Sequence, residues 1–369
     1  MWLILLRFIA SRIDNLTCMF DVYGRMHKDV FVISLCYEQV DDVITFIHQL
    51  QLDIAKNKFT YKVDVHFGVC LVEDTTVPVM KMVDWASLAL GTVKGSYLKK
   101  YAFYDENLRI QIIIEKAMEN DMQESLEKGE FMMYLQPKMD LNLNVITGAE
   151  ALIRWKHEKH GMLQPDLFIP LFEKNGFVVE LDKFIWEEAC KLLHKWKVAG
   201  ETLIPISVNV SRMNIFRPEF YDFIIDLVNK YDIPREYLEL ELTESVFLDD
   251  PNALFEIMER FREAGFKVSM DDFGSGYSSL AMLKDVPLDV LKIDRGFLIE
   301  TVNSDKGKTI VSFIVLMASA LQLNVIAEGV ETQEQVDFLI ESGCCFAQGY
   351  YFSKPVCIED FNEFKRTHE

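Results

Sequence analysis

From Phe131 onward the sequence alternates short apolar runs with longer amphipathic ones, and this alternation limits the possible folds more than any other feature. The strand-like runs are "FMMYLQPKM", "ITGAEALIRW", "IPISVNVS", "YLELELTES", "FKVSMDDFG", "LDVLKID", "LNVIAEGV" and "CCFAQGYYF". Between most of them lie helical stretches such as "LDKFIWEEACKLLHKWKVAG", "NALFEIMERFREAG" and "KTIVSFIVLMASALQ". Several helical stretches close on Gly200, Gly265 or Gly343, the residue type that most easily ends a helix. Strands and helices alternating over roughly 240 residues predict an α/β fold, a (β/α)8 TIM-like barrel. One junction departs from the rule. Only "DLNLN" separates the first two strands, too short for a crossover helix, so the first strand is expected to be antiparallel.

In such barrels the site lies at the C-terminal ends of the strands. Those ends carry Glu150, Asn209, Glu241, Asp271 with Asp272, Lys292, Glu328 and Gln348. From Asn209 onward the steps between them are 20 to 36 residues, each suited to one strand-helix-strand unit. Packing does not explain the set, because a buried charge costs several kcal/mol unless it is paired or metal-bound. Carboxylates with one amide oxygen suit hard divalent cations, Mg2+ or Mn2+. The adjacency of Asp271 and Asp272 suggests a carboxylate bridging two ions. Two ions about 3.5–4 Å apart would activate a water and neutralise a phosphate during in-line displacement. Lys292 could orient or polarise that water, and Glu328 could be a further ligand or the base; the residue pattern leaves both roles open. Within "GAEALIRW", strand alternation places Glu150, Leu152 and Arg154 on one face and Ala149, Ala151, Ile153 and Trp155 on the other.

Composition excludes other classes. A net charge of −20 argues against binding a nucleic-acid polymer, which needs a basic surface. The seven cysteines have no metal-like spacing, and no secretory signal is evident. They are read as reduced thiols of a cytoplasmic protein, with Cys344 and Cys345 packed in the core. The opening "MWLILLRFIASR" is broken by Arg7 and Arg12 and is far short of the ~20 residues of a membrane helix. It is read as a buried helix, and no membrane segment is expected. "DENLRIQIIIEKAMENDMQESLEKGE" reads as a connecting helix over 107–130, ended by Gly129. His157 and His160 in "KHEKHG" are read as a solvated loop, and Trp186, Phe220, Tyr221 and Phe223 as helical core faces.

The segments "EALIR", "LQP", "SVN", "ELTES", "DDFGSGYSSL", "LKID", "AEGVE" and "QGYYFSKP", in this order over about residues 115–365, resemble the EAL-domain cyclic di-GMP phosphodiesterases. The resemblance implies a barrel domain over 115–369 that hydrolyses cyclic di-GMP to linear pGpG with two Mg2+ or Mn2+ ions. It also implies inhibition by Ca2+ and a homodimer formed through the barrel. By position it implies Glu150, Asn209, Glu241, Asp271, Asp272 and Glu328 as metal ligands, with Lys292 and Gln348 lining the site. Gln136, Leu152, Arg154 and Arg295 would meet the nucleotide. "DDFGSGYSSL" matches a loop that couples metal binding to dimerisation, and Glu244 would hold it. Glu331 could support the site or cap the helix beginning near Thr332. Phe172 and Gly296 depart from the family's usual residues without removing a ligand. Two other readings stand beside this one. A receptor that binds cyclic di-GMP without cleaving it would be favoured by loss of a metal carboxylate, and none is lost. An unrelated Mg2+-dependent barrel enzyme, such as an enolising lyase, would leave the "QP", "DDFGSGYSSL" and "QGY" segments unexplained.

Residues 1–106 resemble a degenerate, N-terminally truncated GGDEF-like α+β domain. "VYGRMHKDVFVISL" stands where that domain places its signature between two strands, here reduced to His27-Lys28-Asp29-Val30-Phe31. Both signature glycines are replaced, so the backbone cannot approach a phosphate closely. Val30 stands where a metal-binding acid would be. Diguanylate cyclase activity is not expected of this part; a regulatory or dimerisation module, or a remnant that only packs, is.

Overall fold

The structure, a computed structural model, describes residues 2–56, 63–96, 99–248, 250–274, 282–302 and 304–368. The chain divides into two compact units, Met1–Ala117 and Met118–Glu369.

The front unit contains α1 (Trp2–Leu16), β1 (Val22–His27), β2 (Val30–Ser34), α2 (Val40–Ala55), β3 (Phe67–Val69), α3 (Val79–Val93) and β4 (Tyr101–Phe103). β1 and β2 form an antiparallel hairpin, while β3 and β4 form a separate parallel pair. The hairpin turns at Lys28, which takes a left-handed φ of 43° and accepts a hydrogen bond on its carbonyl from Arg25 Nε at 2.8 Å. A small core of Ile13, Leu50 and Ile54 gathers Phe8, Phe31, Ile33, Phe46 and Phe67 around it. α3 lies directly on β3: a Cβ added to Gly68 would stand 1.9 Å from the carbonyl oxygen of Ala86, so only glycine fits. α1 buries Leu5, Leu6 and Ile13 and exposes Trp2, Leu3 and Ile4, so the buried reading of "MWLILLRFIASR" holds for one face only. Among the described residues no helix is long and apolar enough to cross a membrane.

α4 (Glu106–Glu127) runs across the unit boundary and is followed by Gly129 at φ 73°. The second unit continues with β5 (Phe131–Asp140), β6 (Val145–His157), β7 (Gly161–Leu163), α5 (Pro165–Asn175), α6 (Val178–Ala199), β8 (Ile206–Asn209), α7 (Arg212–Ile215) and α8 (Phe220–Lys230). Then come β9 (Leu238–Thr243), α9 (Pro251–Glu263), β10 (Lys267–Phe273), β11 (Val290–Ile293), α10 (Arg295–Val302), α11 (Asp305–Ala320), β12 (Asn324–Ala327), α12 (Gln333–Glu341), β13 (Phe346–Ala347) and α13 (Ile358–Thr367). Strands β5, β13, β12, β11, β10, β9, β8 and β6 follow one another around the sheet, and pairing of β5 with β6 closes it into an eight-stranded barrel. β5 runs antiparallel to both β6 and β13, and the other ring pairings are parallel. The tight β5–β6 turn is built locally. The Asp140 carboxylate accepts from the amides of Asn142 and Leu143, and Asn144 takes a φ of 55°.

Period-two alternation assigns the faces. In β9, Leu238, Leu240 and Leu242 join the core between barrel and helices, while Glu239 and Glu241 belong to a buried ionic network. Ala149 and Ala151 of β6 belong to the same core as Trp186, Ala189 and Leu193 of α6. Beyond Ala151, β6 leaves the ring and pairs only with β5 and β7. This extension carries Trp155, whose ring lies 4.8 Å from Phe131 and 5.7 Å from both Phe168 and Phe172. Phe172 is fully buried in that cluster, which accounts for a large residue at its position. The solvated-loop reading of His157 fails. His157 ends β6, is 3% exposed, lies tilted against the Trp155 ring at 4.8 Å and has Nε2 3.3 Å from the Asp121 carboxylate of α4. The β6–β7 hairpin extends the strand further than the charged residues around it suggested. His160 stays exposed. Cys344 is buried and its thiol is pushed up to about 12 by burial, whereas Cys345 is exposed.

Candidate active site

The ring brings the separated acids together. Carboxylate oxygens of Glu150, Glu241 and Asp271 lie within 4.8 Å of one another, and so do those of Asp271, Asp272 and Glu328. Asp271 belongs to both groups. Two adjacent strand residues normally face opposite sides of a sheet. Here the β10–β11 register shifts between Met270 and Phe273, and Asp272 takes a left-handed φ of 58°. Aspartate is among the few side-chain-bearing residues that tolerate this conformation, and the irregularity turns both carboxylates toward one mouth.

Lys292 stands at the centre, fully buried. Its Nζ is 2.6 Å from Glu328, 3.0 Å from Glu241, 3.1 Å from Asp271 and 3.3 Å from Glu150. Burial alone would lower the Lys292 pKa, but these four acids hold it well above its ordinary value, so the group is an ammonium. Burial raises Glu150 and Glu328, with nearby acids adding to the effect. Asp272 is pushed up to about 6 by burial and by Asp271 and Asp294. Glu241, between Lys138 and Lys292, is instead held down at about 2. Added positive charge would stabilise the ionised forms of Glu150, Asp272 and Glu328.

Amides complete the mouth. Gln348 Nε2 donates to Glu150 Oε2 at 2.6 Å and to Gln136 Oε1 at 3.0 Å, and Asn209 Nδ2 donates to Glu150 Oε1 at 3.3 Å. A cleft of about 820 Å3 opens beside them, lined by Leu152, Asp182, Asn209, Met213, Asp271 and Asp272. Arg154 does not line this cleft: its Nη1 donates to the Ile153 carbonyl and its guanidinium lies 5.7 Å from the Tyr134 ring. Arg295 sits at the rim, paired with Glu331 at 2.6 Å, and its stem crosses Gly329 so closely that a Cβ there would meet Arg295 Cγ at 2.1 Å. Glu331 is therefore not the cap of α12. Thr332 takes that place in a reciprocal capping box with Gln335. Glu244 accepts from the amide of Gly274 at 3.1 Å; positions 275–280 of "DDFGSGYSSL" lie outside the described residues.

Four contributions escaped the sequence reading: Lys138, Glu239, Asp182 and the Trp186 indole hydrogen bond. Lys138 is buried between Glu239 and Glu241, at 3.0 and 2.8 Å. Counting by two from Gln136 along β5, and from Glu241 back along β9, would have placed Lys138 and Glu239 on the inward face. Asp182 on α6 accepts from the Ser211 amide at 2.9 Å and Asn214 Nδ2 at 2.8 Å, and burial pushes its carboxyl up to about 6. Trp186, correctly read as core, also donates its indole N–H to the Asn209 carbonyl at 3.0 Å. No sequence signal distinguishes these last two from ordinary helix residues.

A closed α/β barrel with acids, amides and one buried lysine at a single mouth defines a TIM-like barrel protein able to hold metal ions on its acidic residues. The family model described as the EAL domain matches residues 119–355, and the chain belongs to that family. It is 32% identical over 368 residues to the cyclic di-GMP phosphodiesterase NbdA of Pseudomonas aeruginosa, covering 99% of this chain and 47% of that protein. It is 30% identical over 360 residues to the bifunctional diguanylate cyclase/cyclic di-GMP phosphodiesterase MucR of the same organism, covering 96% and 53%. The chain thus spans about half the length of these curated relatives. The solved PaMucR phosphodiesterase in its c-di-GMP complex matches with a TM-score of 0.64 at 36% identity, covering 66% of this chain and 99% of that one.

Proposed function

We propose that this chain hydrolyses one phosphodiester of cyclic di-GMP to linear pGpG, with two divalent cations, Mg2+ or Mn2+, held by Glu150, Asn209, Glu241, Asp271, Asp272 and Glu328. The observation that carries this reading is Asp271, whose carboxylate belongs to two acid clusters at once. Charge supports it as well. The ring sets the six acids Glu150, Glu239, Glu241, Asp271, Asp272 and Glu328 against only two cations, Lys138 and Lys292, an excess of carboxylates that divalent ions would offset. All six proposed ligands offer oxygen donors, as hard cations require. When bound, such ions supply an activated water and neutralise the phosphate.

The chain's own groups divide the remaining work. Lys292 is kept protonated by its four acids, so it donates a hydrogen bond to the attacking water and is not the base. Glu328, 2.6 Å from Lys292 Nζ, accepts the water's proton. Water adds to phosphorus as the bond to the ribose 3′ oxygen breaks, and the departing oxygen takes a proton from solvent water, leaving a 5′ phosphate and a 3′ hydroxyl. Gln348, itself held by Gln136, holds Glu150, and both amides border the substrate; Leu152 presses on a base from the cleft wall, and Arg154 and Arg295 turn to the phosphates and guanines. Glu244 supports the loop that follows Asp272, with Glu331 steadying Arg295 at the rim. The barrel forms a homodimer, for which the exposed Ile310, Phe313 and Leu316 of α11 offer an apolar face. Residues 1–106 form a GGDEF-like module without cyclase activity; the Lys28 turn between β1 and β2, where the signature would stand, supports this.

The test is hydrolysis of cyclic di-GMP with Mg2+ or Mn2+ by the parent and by Glu150→Ala. Loss of a ligand shared by Asn209, Gln348 and Lys292 should lower kcat by at least about 10^3-fold, or roughly 4 kcal/mol of barrier. Tight binding without turnover in the parent would instead make the chain a receptor, and no binding would overturn both readings.

A further inference from the structure

A second lysine lies inside the barrel and has no step assigned to it in the chemistry above. Lys138 is 4% exposed on the inward face of β5, and its partners Glu239 and Glu241 are 5% and 0% exposed on β9, three strands away around the ring. The side chain therefore spans the barrel interior. Gly148 stands directly opposite in the β5–β6 register, where a Cβ would make ordinary contact with Lys138 Cδ at 3.7 Å and press on the Pro205 carbonyl oxygen at 3.1 Å.

The two oxygens of Glu241 are divided between the two lysines. Oε1 accepts from Lys138 at 2.8 Å, and Oε2 accepts from Lys292 at 3.0 Å. Glu239 Oε1 anchors Lys138 from the other side at 3.0 Å. Stability alone does not explain this arrangement, because a buried ion pair is often no more stabilising than apolar residues of the same volume. We propose that Lys138 is a positioning residue for Glu241: by occupying Oε1 from beneath, it turns Oε2 to the mouth and limits Glu241 to one ligand oxygen. Glu239 is then the counter-ion that holds Lys138 in place. The inference rests on the metal-dependent reading above. It adds a supporting layer beneath the ligands, of the kind whose loss weakens metal affinity by roughly 10- to 100-fold in other sites.

Calorimetric titration of the full chain with Mn2+, without substrate, tests it; the binding that Glu150→Ala removes defines the site. Lys138→Met leaves Glu239 buried without its cation and lowers Tm. Lys138→Met with Glu239→Leu removes both charges and should restore Tm, yet bind Mn2+ roughly 10- to 100-fold more weakly than the parent. Lys138→Gln with Glu239→Gln keeps hydrogen-bonding groups at both positions and should show the same weakening if the apolar pair does not fold. A double variant of parental Tm and parental Mn2+ affinity would overturn the proposal, reducing Lys138 to a counter-ion of Glu239. A parent that binds no Mn2+ would overturn the metal-dependent reading instead.

Discussion

The barrel and the front unit solve opposite problems with similar secondary structure. The barrel mouth and interior gather six acids and two lysines, and five of those acids pair with Lys138 or Lys292. The front hairpin carries its charged turn in solvent: every residue of β1 is exposed. Only a closed ring holds like charges close together without water, because its core and helices resist the repulsion. A two-stranded hairpin has no such support and can present chemistry only through its turn. Functional potential therefore follows closure, not the density of charged residues.

That contrast can be broken at its scaffolds. The largest effect should come from Trp155→Ala, which empties the aromatic cluster that fastens the β6 extension. A loss of about 3–5 kcal/mol is expected in denaturant unfolding of the barrel. A change below about 1 kcal/mol would mean that the extension is held by its strand pairing alone. Next comes Gly68→Ala in the front unit. Its Cβ cannot coexist with the Ala86 carbonyl 1.9 Å away, so α3 must move, at a cost of about 1–3 kcal/mol. Hydrogen exchange should rise in β3 and α3 but not in β9 or β10; an equal rise in both would erase the distinction between two separately cored units.

The smallest effect concerns Asp182, whose folded carboxyl at about 6 lies above its ordinary 3.8. The folded state holds this proton more tightly than the unfolded chain. Its stabilising contribution is therefore greatest below about pH 4 and is lost as pH rises through about 6. Asp182→Asn removes the titration. The stability of the variant relative to the parent should shift in its favour by about 1–3 kcal/mol between pH 4 and 7, measured by unfolding at each pH. A pH-independent difference would show that the Ser211 and Asn214 hydrogen bonds fully offset burial.

Much of the barrel was legible because its signals are local. Alternation in "YLELELTES" and "GAEALIRW" separates the two faces of a strand, glycines mark helix ends, and the short "DLNLN" link accords with the antiparallel β5–β6 pairing. The acids of the mouth could be selected from residue type and spacing, since buried carboxylates need a reason. Lys138 and Glu239 obeyed the same alternation, but they lie one layer below the strand ends where chemistry was sought.

Other features depended on contacts across the fold. His157 reads as a charged-loop residue until β7 and Asp121 enclose it. Glu331 reads equally as a site support or a helix cap until Arg295, from another strand end, pairs with it. The sequence by itself determined the element order, the face each strand residue takes and which residue types could do chemistry, because those follow from backbone period and side-chain type. The tertiary structure alone decided which charges meet. Ring closure, the irregularity at Asp272 and the reach of two lysines set distances between residues far apart in the chain, and charge energetics follow distance and burial rather than sequence order.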